Sequence, residues 1–311
     1  EDYVTEGVIE PVEDEAASER GRSDVVYLPY SLALNPDSST TPVRIVWDGS
    51  AVTPSGYSLN SFILKGPPYQ SNIQGVAIRQ RLFRIPLQGD LRRCYHAIEI
   101  SEKSGHRDYL RFLRKPASDP PSLPPRVYRW QRCAFGLTDS AFLVLAALKR
   151  VIEEKKKETN LTPGMRKCVE GVADALYVDD YLGGADSVEE ALELKDNLVS
   201  LFKEGGFTIR KFTSIPEVIK HIPEAQRGPT EAITLPFVNT GTKDEPITSA
   251  DCKALGNRFC PRSDCLLYDN FDKIPSFNRD TRRSVASCLG MVFELNGLLS
   301  PFLLLARKIY K

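Results

Sequence analysis

No apolar run in the 311-residue chain approaches the roughly 20 residues that a membrane-spanning helix needs. No basic-then-apolar leader opens it, and no internal repeat runs along it. The first residue is Glu1, so the chain is expected to be a piece of a longer protein. A phosphate-cradling G-x-x-x-x-G-K-[ST] loop is missing, which leaves a P-loop nucleotide hydrolase without support. Seven cysteines occur at irregular positions: Cys94, Cys133, Cys168, Cys252, Cys260, Cys265 and Cys288. Their odd number speaks against a disulfide framework and for a reducing compartment. Cys252, Cys260 and Cys265 cluster, but no C-x-x-C pair or nearby His completes a zinc set. Net charge is also absent, with 41 Lys/Arg against 41 Asp/Glu. That balance argues at first against a nucleic-acid partner.

The distribution of charge is less neutral than its sum. Eight Asp/Glu and one Arg fall in the first twenty residues, so residues 1–24 read as a loose acidic lead-in or linker. From Val76 to Arg132 there are 13 Lys/Arg and 5 Asp/Glu. Such a segment could track a phosphate backbone or form a solvated basic surface, and charge alone does not choose.

The rest of the chain has globular patterning, with 41% hydrophobic and 26% charged residues. "RIVWDGSA" (44–51) reads as a strand running into a turn, and "NIQGVAIRQRLF" (72–83) has helical spacing. "RIPLQGDLRRCYHAIEI" (84–100) reads as a strand, a polar break and a second extended or short helical piece. "YLRFLRK" (109–115) and "RVYRWQRCAFGL" (126–137) alternate like half-buried strands around a proline-rich loop. A helix is predicted after Thr138 or Asp139, and another after Ser187, with Glu190 completing a capping box. "FTIRKF" and "KALGNRF" are strand candidates, residues 216–246 read as largely irregular, and "TRRSVASCLGMVFELNGLLSPFLLLARKIYK" reads as helical. Strands and helices mix without βαβ regularity, so the fold class is α+β.

"ALYVDDYLGG" (175–184) sets two carboxylates, Asp179 and Asp180, between apolar flanks that read as a hairpin with those two residues as its turn. A solvated turn explains the doublet as well as a site does. A Mg²⁺ site needs further oxygen ligands, and two-metal phosphoryl transfer needs a carboxylate from another strand. Asp90, at the end of an apolar strand, offers one. Asp174 competes, but a spacing of five would put it on the opposite strand face from Asp179.

These residues resemble the motifs of reverse transcriptases. The strand into Asp90 with Tyr95 five residues on resembles motif A, "AFGLTDSAF" (134–142) motif B and "YVDD" (177–180) motif C. "LFKEGGFTIRKF" resembles motif D and "KALGNRF" the motif E primer grip. From about Tyr27 onward, "YLPYSLALNPDSSTTPVRIVWDGSA", "SLNSFILKGPP" and the closing helical segment resemble the polymerase of BEL/Pao-type long-terminal-repeat retrotransposons.

The resemblance implies a right-hand polymerase with a ferredoxin-like palm. Residues 1–26 would be the acidic lead-in, 27–85 the first part of the fingers, and 86–100 the palm segment with motif A. Residues 101–133 would be the second part of the fingers and 134–215 the palm with motifs B, C and D. The primer grip, thumb and start of the connection would occupy 216–311. It further implies two Mg²⁺ ions, with Mn²⁺ as a substitute, held by Asp90, Asp179, Asp180 and the carbonyl of Leu91. The backbone of Arg93 and Cys94 would face the nucleotide triphosphate, and Tyr95 would gate the sugar. Arg44, Phe135 and Gly136 would complete the nucleotide pocket. Lys211 would protonate pyrophosphate, with Arg210 adjacent to it, and Leu255 and Gly256 would hold the primer. Without the resemblance, Tyr95 is an ordinary core aromatic and Arg44 a surface strand residue.

The implied partners are an RNA template, a DNA or tRNA primer, dNTPs, and downstream ribonuclease H and integrase regions of a polyprotein, without a membrane. The implied location is cytoplasmic, in a virus-like particle, with the nucleus as the alternative. The sequence departs from the family at Ala134, at Ser140-Ala141 and at Asp48-Gly49-Ser50. "TLPFVNTGT" carries Asn239 where an aspartic protease needs Asp, so no protease site is expected there. The competing function is a decayed or co-opted copy that binds nucleic acid or protein without polymerising.

Overall fold

The computed structural model describes residues 2–12, 25–34, 43–116, 119–228, 252–254, 257–260, 265–267, 281–292 and 297–310. Its main strands are β1 (Ile9–Pro11), β2 (Tyr30–Leu34), β3 (Val43–Trp47), β4 (Ile85–Leu91), β5 (Arg111–Arg114), β6 (Arg126–Trp130), β7 (Leu176–Tyr177), β8 (Asp180–Ala185) and β9 (Ile209–Thr213). The chain forms two compact units. One takes residues 1–70 and 93–150, the other 71–92 and 151–311. The Ser140–Lys156 helix crosses that division, and the motif A segment is cut between Arg92 and Arg93.

In the first unit β1, β6 and β5 form an antiparallel sheet, with Ile9 opposite Trp130 and Phe112 opposite Tyr128. Val8, Ile9, Trp47, Leu110, Phe112 and Trp130 build its core, where the rings of Trp47 and Trp130 meet edge-on at 5.3 Å. β2 and β3 make a separate hairpin whose apolar residues Leu32, Leu34, Val43 and Ile45 are exposed.

The acidic opening is therefore no loose linker over residues 2–12. Its few apolar residues are spaced to enter the core, and its acids find the basic segment. Glu10 accepts from Arg129 Nε at 2.7 Å and pairs with Arg107 at 3.3 Å, while Glu6 pairs with Arg93. The excess of positives after Val76 is to that extent internal. Arg111 and Asp108 are paired at 2.9 Å with side chains 1% and 4% exposed. Burial alone would raise the Asp108 carboxyl, but hydrogen bonds from Arg111 and Arg129 outweigh it and hold it low. Residues 13–24 lie outside the described residues.

The second unit holds a four-stranded antiparallel sheet in the order β7-β8-β4-β9. Helices Pro163–Ala175 and Val188–Glu204 connect β4's side of the chain to β7 and β8 to β9, which makes the β-α-β-β-α-β ferredoxin-like arrangement. Both helices pack on each other and on β8. Ser187 caps the second through the Glu190 amide at 3.2 Å, but the Glu190 carboxylate accepts from the Asp186 amide, so the capping box is only half made. The first begins with Thr162 as its cap and Pro163 in its first turn. Asp174 consequently lies on a helix rather than a strand, exposed and 3.7 Å from Arg79, and is no competitor for Asp90.

Gly184 explains the end of "YLGG". A Cβ there would lie 2.5 Å from the Ile85 carbonyl oxygen, so only glycine permits β8 to approach β4 this closely. Further on, Cys252–Ala254, Asn257–Cys260 and Cys265–Leu267 form a small antiparallel sheet, followed by helices Arg282–Met291 and Ser300–Tyr310.

Candidate functional site

The carboxylates come together on adjacent strands of the second unit. Asp90, next to the end of β4, stands directly opposite Asp180, the first residue of β8. The hairpin turn is one residue earlier than the sequence reading placed it. Tyr177 pairs with Asp180, so Val178 and Asp179 form the turn and Asp180 is already in the sheet. The cause is Val178, a buried residue 8% exposed whose backbone takes φ +55° there. A β-branched residue adopts that conformation only against cost, and such strain marks functional turns. The Leu91 amide donates to the Asp179 carbonyl at 2.8 Å, which ties the turn to the end of β4.

β9 brings cations to the same place. One β4 residue, Gly89, faces both Lys211 and Phe212, a bulge between the pairs Gln88–Thr213 and Asp90–Arg210. Lys211 takes φ +54° within it. Lys211 Nζ and Arg210 Nε both lie 3.9 Å from Asp90 Oδ2. Burial raises the Asp179 carboxyl, and Asp90 adds to that rise while Lys211 opposes it. Burial, then the charges of Asp179 and Asp90, push Asp180 up to about 7. Two residues before Asp90, the buried Gln88 donates to Gln80 and accepts from Thr213, each at 3.2 Å, which fixes this face of β4.

The donors suit a hard divalent cation. They are oxygen ligands alone, crowded enough that their charges oppose one another's ionisation, and Mg²⁺ takes one or two carboxylates and completes its shell with phosphate and water. Among the described residues no group of three or more His, Cys, Asp or Glu side chains is arranged to hold a metal ion by itself.

The other expected residues lie in the first unit. Tyr95 and Phe135 pack with ring centroids 4.8 Å apart, and the buried His96 supports Phe135 edge-on at 5.2 Å. Burial, with Arg93 adding to it, lowers the His96 imidazole to about 4, so the ring under this pair is neutral at pH 7. Arg93 has φ +46°, and its guanidinium sits over the Tyr3 ring at 5.3 Å. Cys94 is buried, and Arg44 is exposed on β3. Leu255 and Gly256 lie outside the described residues, as does the "TLPFVNTGT" segment.

Gly136 has φ +85°, and a Cβ there would lie 2.1 Å from the Trp47 carbonyl oxygen. Two further residues hold its loop, Asn60, which nothing in the sequence marked, and Ser140, noted there only as a departure from the family motif. Asn60 Nδ2 donates to the Gly136 carbonyl at 2.9 Å and its Oδ1 accepts from the Thr138 amide at 3.0 Å. Ser140 Oγ donates to the Ala134 carbonyl at 2.6 Å. Their partners are backbone atoms 76 and 6 residues away, and no local pattern marks the first of these pairings. Gly136→Ala is expected to lower the unfolding free energy by about 2–4 kcal/mol, read by urea denaturation.

No family model matches the sequence, and no curated protein matches it. Solved structures do. The foamy viral protease-reverse transcriptase in complex with an RNA/DNA hybrid superposes with a TM-score of 0.54 at 15% identity, over 93% of this chain and 29% of that one. The form of that protein in complex with double-stranded DNA gives 0.55 at 15% identity, over 99% of this chain and 42% of that one. The chain thus spans less than half the length of the proteins it resembles, and what it shares with them is the reverse transcriptase fold.

Proposed function

We propose that the chain is the polymerase portion of a retrotransposon polyprotein of the BEL/Pao type, an RNA-directed DNA polymerase that extends a primer with dNTPs. The observation that carries this reading is Asp90 opposite Asp180 with Asp179 at the adjoining turn, all at one end of a ferredoxin-like sheet. The fold shared with reverse transcriptases supports it.

In this reading Asp90, Asp179 and Asp180 would hold two Mg²⁺ ions, which when bound would supply the positive charge that lowers the pKa of a primer 3′-hydroxyl and offsets the charge of leaving pyrophosphate. The protein's own part is to aim and charge the site. The β4–β8 pairing sets Asp90 against Asp180, and the Leu91–Asp179 hydrogen bond fixes the turn. Lys211, whose bulge brings its Nζ to 3.9 Å from Asp90, would give a proton to pyrophosphate in this reading. Tyr95, seated on Phe135, excludes a ribose 2′-hydroxyl. Tyr95→Val is accordingly expected to reduce discrimination against ribonucleotides roughly 10-fold or more, measured as the ratio of kcat/KM for dNTP and NTP.

The test of the whole reading is extension of a labelled primer on an RNA template by the full chain with Mg²⁺. Template-coded growth of the primer is expected. A folded chain that binds the template–primer and never extends it belongs instead to the non-polymerising class.

A further inference from the structure

We infer that Arg210 and Lys211 are resident counter-ions of Asp90, and that Lys211 competes with a divalent cation for this carboxylate until a phosphate draws it away. The inference rests on the reading of the three carboxylates as a metal site.

Neighbouring residues of a strand point to opposite faces. Arg210 and Lys211 are neighbours, yet both cationic groups reach the same oxygen, Asp90 Oδ2, at 3.9 Å. The bulge opposite Gly89 and the left-handed backbone of Lys211 make this convergence. A lysine does not adopt φ +54° without cost, and the fold holds it there. Phe212, the next residue, is fully buried, and its carbonyl accepts from the Gly228 amide at 2.9 Å.

The two cations differ in freedom. Arg210 Nε is buried and makes no hydrogen bond among the described residues, and the Asp90 carboxylate lies 3.9 Å from it. Both side chains are about one-third exposed, 38% for Arg210 and 31% for Lys211, but Lys211 carries a compact point charge on a flexible stem whereas the Arg210 atom nearest Asp90 is buried. A phosphate arriving with its metal can therefore take Lys211 while Arg210 stays. Release of Lys211 frees Asp90 for the metal, so nucleotide and metal strengthen each other's binding.

Mn²⁺ binding to the full chain without nucleotide, followed by the electron paramagnetic resonance of the free ion, tests this directly. Lys211→Met is expected to bind Mn²⁺ about five- to tenfold more tightly than the wild type. Lys211→Gly should match it, and it also removes the backbone strain, so a folding defect of the first variant does not decide the result. Lys211→Arg, which keeps the charge, should stay near the wild-type Kd. Mn²⁺ binding that Asp179→Asn weakens but both neutral Lys211 variants leave unchanged overturns the counter-ion role and leaves the metal site standing. Absence of Mn²⁺ binding in the wild type and every variant overturns the metal site itself, and the counter-ion role with it.

Discussion

Asp179→Asn is expected to slow primer extension by about 10³-fold or more while template–primer affinity stays within about twofold. A metal ion contributes several kcal/mol of transition-state stabilisation to phosphoryl transfer, and each 1.4 kcal/mol is tenfold in rate. Asparagine keeps the shape of the turn, and the hydrogen bond to Leu91 is made by the residue 179 backbone carbonyl, which the substitution spares. What it removes is one negative charge beside Asp180 and Asp90. Pre-steady-state incorporation of a single dNTP measures the rate, and filter binding measures the affinity. Retained incorporation would refute the assignment of Asp179. Loss of both rate and affinity would mean that the residue supports the fold instead.

Replacement of the neighbouring carboxylate should stabilise the metal-free protein. Burial and the charges of Asp179 and Asp90 push Asp180 up to about 7 from an ordinary 3.8. The sign follows from proton linkage. The folded state holds the proton more tightly than the unfolded state, so folding is favoured by this group at low pH. That advantage is lost as pH rises from about 4 through about 7, and above 7 the folded chain carries an ill-solvated charge. Asp180→Asn should then raise the unfolding free energy by about 1–3 kcal/mol at pH 8, a figure below the full linkage value because part of the group remains solvated. At pH 5 the gain should be smaller. Urea denaturation with chelator at both pH values checks it, and an equal gain at both would show that the charge is not the cause. A site that weakens its own fold until its ligand arrives is the usual trade between stability and function.

The parts of this protein most legible in its sequence are those with local chemistry. The strand into Asp90, the helix capped at Ser187 and the strand "FTIRKF" stand where periodicity and capping put them. The Pro163–Ala175 helix carried a readable signal as well, Thr162 followed by Pro163, although Asp174 invited a strand. The one-residue shift of the hairpin turn was less accessible. It depends on burying Val178 in a left-handed conformation, which tertiary packing imposes against the residue's own preference. The acidic opening misled because composition suggests solvation, while ion pairs with arginines about 90 to 120 residues away decide its place. Asn60 and the Lys211 bulge are likewise long-range effects. One is a side chain bonding a distant loop, the other an extra residue in a strand pairing, and neither leaves a local pattern.

The central claim is that Asp90, Asp179 and Asp180 bind divalent cations for nucleotidyl transfer. It is tested most directly by counting ions in a stalled complex of the full chain, an RNA template, a dideoxy-terminated primer and the next complementary dNTP. Mn²⁺ titration of that complex should find two sites in the wild type and fewer in Asp179→Asn. A wild-type complex that assembles with its nucleotide and binds no Mn²⁺ beyond that held by the free dNTP would contradict the claim.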